Sequence, residues 1–263
     1  MRKYIAFAKA TWQLTLAYRG ESFIWLILEI IPMLIFISFW NSLLITQRIT
    51  HAQFSHLVLY YLLTLIVSRL TAIHFEDWII EEIKDGKISR YLLKPFSYKL
   101  YLLSSEITWR FSGLIYLLPA LLLFIPILSK VEISSPGLLQ ISGSLLILFL
   151  AFLQRYFLGF LIGIAAFWFE QSKSLIHLKW MCEGIFGGAW LPLYFFPDWL
   201  QKVARVTPFY SWFFYPLEML LKPLNASAFV INLALAVFWT LSLWQLSKLL
   251  WKKAIVKYSA VGN

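Results

Sequence analysis

The chain has 263 residues, 60% of them hydrophobic and only 14% charged, with 13 Trp and a mean hydropathy of +0.73. That is too little polar surface to cover a water-soluble domain of this length, so the long apolar runs read as membrane spans. The net charge of +10 fits cytoplasmic Lys and Arg beside anionic lipid rather than nucleic acid, and the single cysteine, Cys182, excludes an internal disulfide and a cysteine-built metal cluster.

Residues 1–20 are basic and aromatic, with Arg2, Lys3, Lys9 and Arg19 among Trp12 and Tyr18. The basic head and the "AKA" that follows imitate a cleaved signal. The apolar part between them is too short for a signal core, so the segment is read as mature chain. Its cations spread widely on a helical projection, and its charge and aromatic content point to an interfacial helix.

Spans are expected at 22–46, 54–74, 107–128, 138–169, 175–196 and 226–248, each long enough for a core that takes roughly 20 residues. The first carries Glu29, the second Arg69, the third Arg110 and the fifth Glu183. Arg69 and Arg110 lie near the cytoplasmic ends of their spans, where snorkelling would accommodate them. Glu29 and Glu183 share the depth of Arg69, and a structural ion pair with it is preferred to a transport role.

Between the second and third spans, residues 75–106 include "EEIKDGKISRYLLKPFSY" (81–98). Phe75, Trp78, Ile79 and Ile83 recur at helical spacing, which predicts a short amphipathic helix over 76–85. Asp85-Gly86 is a stop signal, since Gly takes the left-handed position after a helix. A second short helix is expected over 87–94, with Ile88, Tyr91 and Leu92 on one face and Pro95 ending it. Charge changes sign at the hinge, from Glu76, Asp77, Glu81 and Glu82 to Lys87, Arg90 and Lys94. Two readings stand. One is a knob that docks into a groove of a soluble partner through Ile79, Ile83 and Leu92. The other is a solvated loop whose basic half lies on lipid headgroups. "DGKIS" imitates the end of a phosphate-binding loop, but Glu81 and Ile88 stand where that loop needs Gly and Ser or Thr.

The fourth span, at about 1.5 Å per residue, reaches about 48 Å and must tilt or protrude. Ser144, Ala151, Arg155, Gly159, Gly163 and Ala166 fall on one face, and Gly159 with Gly163 makes a small-xxx-small pair for close helix approach. Arg155 therefore faces the protein interior or a wet cavity. It would either attract an anionic substrate group or bond carbonyls of a neighbouring helix. Residues 209–221 are apolar but short and interrupted by Pro216, so they read as a re-entrant or interfacial piece within an external segment, 197–225. His51, His56, His74 and His177 show no metal-ligand spacing, so no metal is expected. Asn225-Ala226-Ser227 matches a glycosylation sequon, which matters only in a secretory pathway.

Basic residues set the orientation. With the N-terminus inside, the cytoplasm receives Arg2, Lys3, Lys9, Arg19, Lys84, Lys87, Arg90, Lys94, Lys99, Lys173, Lys179, Lys248, Lys252, Lys253 and Lys257. The outside receives Arg48, Lys130, Lys202, Arg205 and Lys222. Both termini are thus expected in the cytoplasm. The fold class is an all-α polytopic membrane protein, one domain over 1–263. It has six transmembrane helices, an interfacial helix at 1–20, a cytoplasmic loop at 75–106 and an external re-entrant hairpin after the fifth span.

Three stretches resemble one family, the small six-helix permeases of ATP-binding-cassette exporters of the type-2 export family. They are "AYRGESF" (17–23), "IKDGKISRYLLKPFSY" (83–98) and "GGAWLPLYFFPDWLQKVARVTPF" (187–209). The resemblance implies a non-catalytic permease in the cell inner membrane. It implies pairing with a second permease and with two separate ATPase subunits that hold ATP and Mg, while this chain binds no cofactor. It makes Trp78, Ile79, Glu82, Ile83, Asp85, Gly86, Lys87, Arg90, Leu92, Lys94 and Pro95 the coupling region that the ATPases push. It places Pro192, Pro197, Trp199 and Pro208 in the external hairpin, and it implies export. Two rivals remain. A secondary transporter would want inverted repeats and central carboxylates, and the carboxylates here are few and off-centre. A membrane-embedded lipid-modifying enzyme would want a polar cluster at one membrane face, and the sequence offers none.

The charge bias is directly testable. In a Cys182→Ala background, single cysteines at Lys87 and Lys257 are expected to resist a membrane-impermeant thiol reagent in intact cells, and one at Lys130 to label. Labelling at Lys87 would overturn the orientation.

Overall fold

The computed structural model describes residues 2–122, 124–128 and 135–261. Lys130, expected outside, lies beyond the described residues, as do the side chains of Arg2 and Arg19. The elements in chain order are α1 (Arg2–Ala17), α2 (Arg19–Ile45), α3 (His51–Thr71), α4 (Phe75–Lys84), α5 (Ser89–Leu92) and α6 (Tyr98–Leu122). Then come α7 (Ile125–Leu128), α8 (Leu138–Ile164), α9 (Lys173–Ile185), α10 (Asp198–Val206), α11 (Phe214–Leu221) and α12 (Ala226–Val261). Among the described residues there is no strand.

Among the described residues, four helices are long and apolar enough to cross a membrane: α2, α3, α8 and α12. Their length and apolar content identify a multi-pass membrane protein. Helix α6 has 25 residues but carries Lys99, Glu106 and Arg110. The expected fifth span, 175–196, is not a continuous helix. Helix α9 stops after 13 residues, where Gly184, Gly187 and Gly188 precede Pro192. Unwound backbone at membrane depth needs internal partners, and here it finds them. Tyr60 donates its hydroxyl to the Gly188 carbonyl at 2.8 Å, Tyr61 donates to the Trp190 carbonyl at 3.1 Å, and the Phe214 N–H donates to the Gly187 carbonyl at 3.0 Å.

Helix α8 is the hub, packed by α12, α4, α11 and α3. Its buried polar groups are spent on neighbours. Gln154 accepts from Trp212 Nε1 at 2.9 Å and Ser211 Oγ at 3.1 Å, and donates to the Ala236 carbonyl at 2.9 Å. Ser144 Oγ donates to the Pro216 carbonyl at 2.7 Å. These bonds hold the 208–221 segment between α3 and α8. In the segment expected outside, Pro197 precedes α10, Pro208 is buried at the start of the next turn, and Trp199 is exposed. Helix α1 lies along α6. Its Phe7 ring meets Phe96 at 5.1 Å and Tyr101 at 4.9 Å.

Candidate functional site

The site begins with a broken helix. Between α3 and α4 the chain leaves helical geometry at Ala72, with ψ at 149°, and the last carbonyls of α3 lose their intrahelical donors. The guanidinium of Arg110 takes them, donating to the Leu70 carbonyl at 2.8 Å and also to the Ala72 carbonyl. Glu106, one turn away on α6, accepts the freed His74 N–H at 3.2 Å and pairs with Arg110 at 3.3 Å. Arg110 therefore does not snorkel. It is nearly buried, because the break supplies the acceptors that water would otherwise provide. Arg69 does not snorkel either. Its Nε lies 2.7 Å from Glu29 Oε2.

Beyond the break, α4 runs down the last turns of α8. A β-carbon at Gly159 would lie 3.0 Å from Glu76 Oε1, and one at Gly163 would lie 2.8 Å from the Ile79 β-carbon. Only glycine permits this approach, so the small-xxx-small face of α8 receives α4. The contact brings Glu76 to Lys179 on α9, two buried side chains that form an ion pair. Lys179 also lies 3.8 Å from Glu183. Glu183 pairs with Arg155 of α8 rather than with Arg69. Arg155 also donates to Thr71 Oγ1 at 2.6 Å, and its guanidinium sits over the rings of Trp212 and Phe213 at 5.1 and 4.9 Å. Three carboxyl groups, Glu76, Glu106 and Glu183, thus face three basic groups, Arg110, Arg155 and Lys179, across four helices. The charge of Arg155 is engaged by this chain's own Glu183.

The hairpin below is tied to the same bundle by Glu82, whose side chain is 3% exposed. Glu82 accepts from Arg90 Nη2 at 2.8 Å and from the Tyr98 hydroxyl at 2.9 Å. Gly86 adopts φ of +68°, the left-handed conformation that ends α4, and its carbonyl accepts from the Tyr258 hydroxyl at 3.1 Å. Lys173 bridges the start of α9 to Glu81 at 2.8 Å and Asp77 at 3.5 Å. These carboxylates hold the Arg90 guanidinium and the Lys173 ammonium above their ordinary values, chiefly through the hydrogen bonds to Glu82 and Glu81.

The anchors expected to face a partner are redistributed. Ile79 is fully buried against Gly163, and Ile83 and Leu92 pack partly into the core formed by α4, α6, α8 and α12. Ile79 therefore presents no apolar surface to another protein. The exposed apolar residue at the tip is Leu93, with 86% of its surface open. Trp78 is partly exposed against Tyr101, Asp85 pairs with Lys87 at 2.7 Å, and Lys94 and Pro95 are exposed. Sequence reasoning missed Glu76, Glu106, Lys179 and Leu93. The spacings Glu106–Arg110 and Lys179–Glu183 are both i,i+4, a signal that places each pair on one helix face.

Beside this geometry of a tethered hairpin beneath an apolar bundle stands a comparison with known families. Residues 23–262 match the model of the family described as ABC-2 family transporter protein. The chain belongs to the ABC-2 transporter family. No curated protein matches it. The match runs through all but the first helix and the first turn of α2 of this ABC-2 transporter chain and includes every member of the charge cluster; of the three stretches that carry the resemblance, 83–98 and 187–209 lie inside it and 17–23 meets it only at Phe23. This family is a transport component rather than an enzyme family.

Removing one member of a buried ion pair strands its partner, which costs about 3–5 kcal/mol, whereas replacing both is far milder. Lys179→Met is therefore expected to lower the thermal unfolding midpoint and the monodisperse yield of the purified protein. Lys179→Met with Glu76→Gln should recover most of the loss. Strictly additive losses would show that the two groups do not act as a pair.

Proposed function

We propose that this chain is the transmembrane subunit of an ATP-binding-cassette exporter. It would move a substrate outward using ATP and Mg held by separate ATPase subunits, and it would pair with a second permease in the cell inner membrane. Both termini and the α4–α5 hairpin would face the cytoplasm. Family membership and the basic-residue bias support this reading. The observation that carries the coupling role is the hairpin itself. A protruding apolar residue, Leu93, stands beside Arg90 and Lys94 on a segment tied to the bundle by Glu82 and Glu76. Such a segment can be gripped by a groove and transmit displacement, because its tethers are buried and its tip is not.

The anchor role thus passes from Ile79, Ile83 and Leu92 to Leu93. Truncating an apolar anchor at an interface costs about 2 kcal/mol or more, about a 30-fold loss of affinity. An exposed charge at the rim costs less than about 1 kcal/mol. Leu93→Ala and Leu93→Asp are expected to reduce ATPase recovered by pull-down from membranes holding equal amounts of permease, with Lys87→Ala close to wild type. Full retention of the ATPase by Leu93→Asp would rule out docking at this tip.

A further inference from the structure

A groove between the start of α6 and the later half of α12 reaches the base of the hairpin, and of its lining only Leu92 belongs to the coupling reading. Its cavity volume is about 670 Å³, and Tyr98, Lys99, Gln245, Lys248, Trp251 and Lys252 are among the residues that line it. None of its lining residues is acidic. On α12, Gln245, Lys248, Lys252 and Ile255 recur at three- and four-residue steps and so share one face. The α6 wall is fixed in place. Lys99 Nζ donates to the Ser247 carbonyl and to Ser247 Oγ, both at 3.1 Å, and the Tyr98 ring stacks on Trp251 at 5.8 Å. The Lys248 ammonium sits 3.6 Å over the Trp244 ring.

The depth of these groups follows from helix rise. From Ala226 to Lys248 is about 33 Å, and from Lys99 to Leu122 about 35 Å, at about 1.5 Å per residue. A hydrocarbon core is about 30 Å thick. Both walls therefore bring their ammonium groups to headgroup level on the same side, within a belt of Trp and Tyr that marks the membrane interface. Three lysines gathered there without a carboxylate repel one another until an anion joins them. Apart from Ser97 and Gln245, the rest of the lining is aromatic or aliphatic, including Leu92, Leu249 and Ile255, which suits the glycerol and upper acyl region of a lipid and which a free anion would not use.

We propose that this groove binds one acidic phospholipid, its phosphate held by Lys248 and Lys252 beside Lys99. The leaflet, but not the site, rests on the orientation reading, and the lipid is then cytoplasmic. Bound there, it would span from the base of the hairpin, at Tyr91, Leu92 and Phe96, to α12.

The test is native mass spectrometry of the full-length permease purified in neutral detergent and titrated with phosphatidylglycerol, phosphatidylcholine or soluble glycerol 3-phosphate. One phosphatidylglycerol should be retained at concentrations where phosphatidylcholine is not. Each lysine near an anionic lipid contributes about fivefold, so Lys248→Gln with Lys252→Gln should weaken retention by about 25-fold. The paired Arg variants at these positions, and the charge-matched control Lys253→Gln with Lys257→Gln, should keep it. Equal losses in both Gln pairs would reduce the effect to diffuse basic attraction and overturn the proposal. So would equal retention of phosphatidylcholine, or displacement of the lipid by equimolar glycerol 3-phosphate. Detergent binding is blind to sidedness, so failure here leaves the orientation standing. A reversed orientation, detected by thiol labelling, would move the lipid to the other leaflet without altering the binding result.

Discussion

Charged groups inside a membrane protein are held by their partners, because water cannot compensate them there. Beside the Arg69–Glu29 pair, that constraint is met in this chain at one junction. Glu76 of α4 lies against Lys179, Lys179 approaches Glu183, and Glu183 pairs with Arg155. Separating α4 from α8 and α9 would leave carboxyl and ammonium groups buried and alone. The glycines at 159 and 163 let α4 come close enough for the pairing to form, and the pairing in turn makes the close approach worth keeping. The hairpin at the base of the bundle inherits its position from this contact. Under the proposed coupling role, a force applied at Leu93 would pass through Glu82 and α4 into α8 and α9.

The same logic governs the two places where helices break. A helix interrupted at membrane depth exposes carbonyls that lipid cannot satisfy. At Ala72 the guanidinium of Arg110 supplies the donors, and after α9 the hydroxyls of Tyr60 and Tyr61 do so. Both solutions come from helices that lie alongside the break. The breaks are therefore stable features of the bundle, and α3 presents its tyrosines to one while its own C-terminus forms the other.

Much of the local architecture was legible in the amino-acid order. The amphipathic spacing of Phe75, Trp78, Ile79 and Ile83 marked a helix close to α4, and Asp85-Gly86 marked its end at a glycine with positive φ. Periodicity shows which residues share a face. It does not show whether that face meets another protein or the chain's own α8, and so Ile79 was expected outside and lies inside. The span at 175–196 failed for a related reason. An apolar run has the same hydropathy whether helical or unwound, and the hydroxyl groups that stabilise the unwound form lie more than a hundred residues away. Matching depth in neighbouring spans made the Glu29–Arg69 pair legible across two helices, but the same argument misassigned Glu183. Arg155 was correctly directed inward by its small-residue face, but its partner on α9 depends on how two helices cross.

The central claim is that the buried pairing of Glu76 and Lys179 fastens α4 to the membrane helices. Hydrogen–deuterium exchange of the full-length protein in lipid nanodiscs tests it most directly. In the wild type, amides of residues 76–88 should exchange as slowly as those of 156–163. In Lys179→Met, the 76–88 amides should exchange faster while residues 240–250 stay unchanged. Exchange of 76–88 at the rate of an open loop in the wild type, or no change on loss of Lys179, would contradict the account.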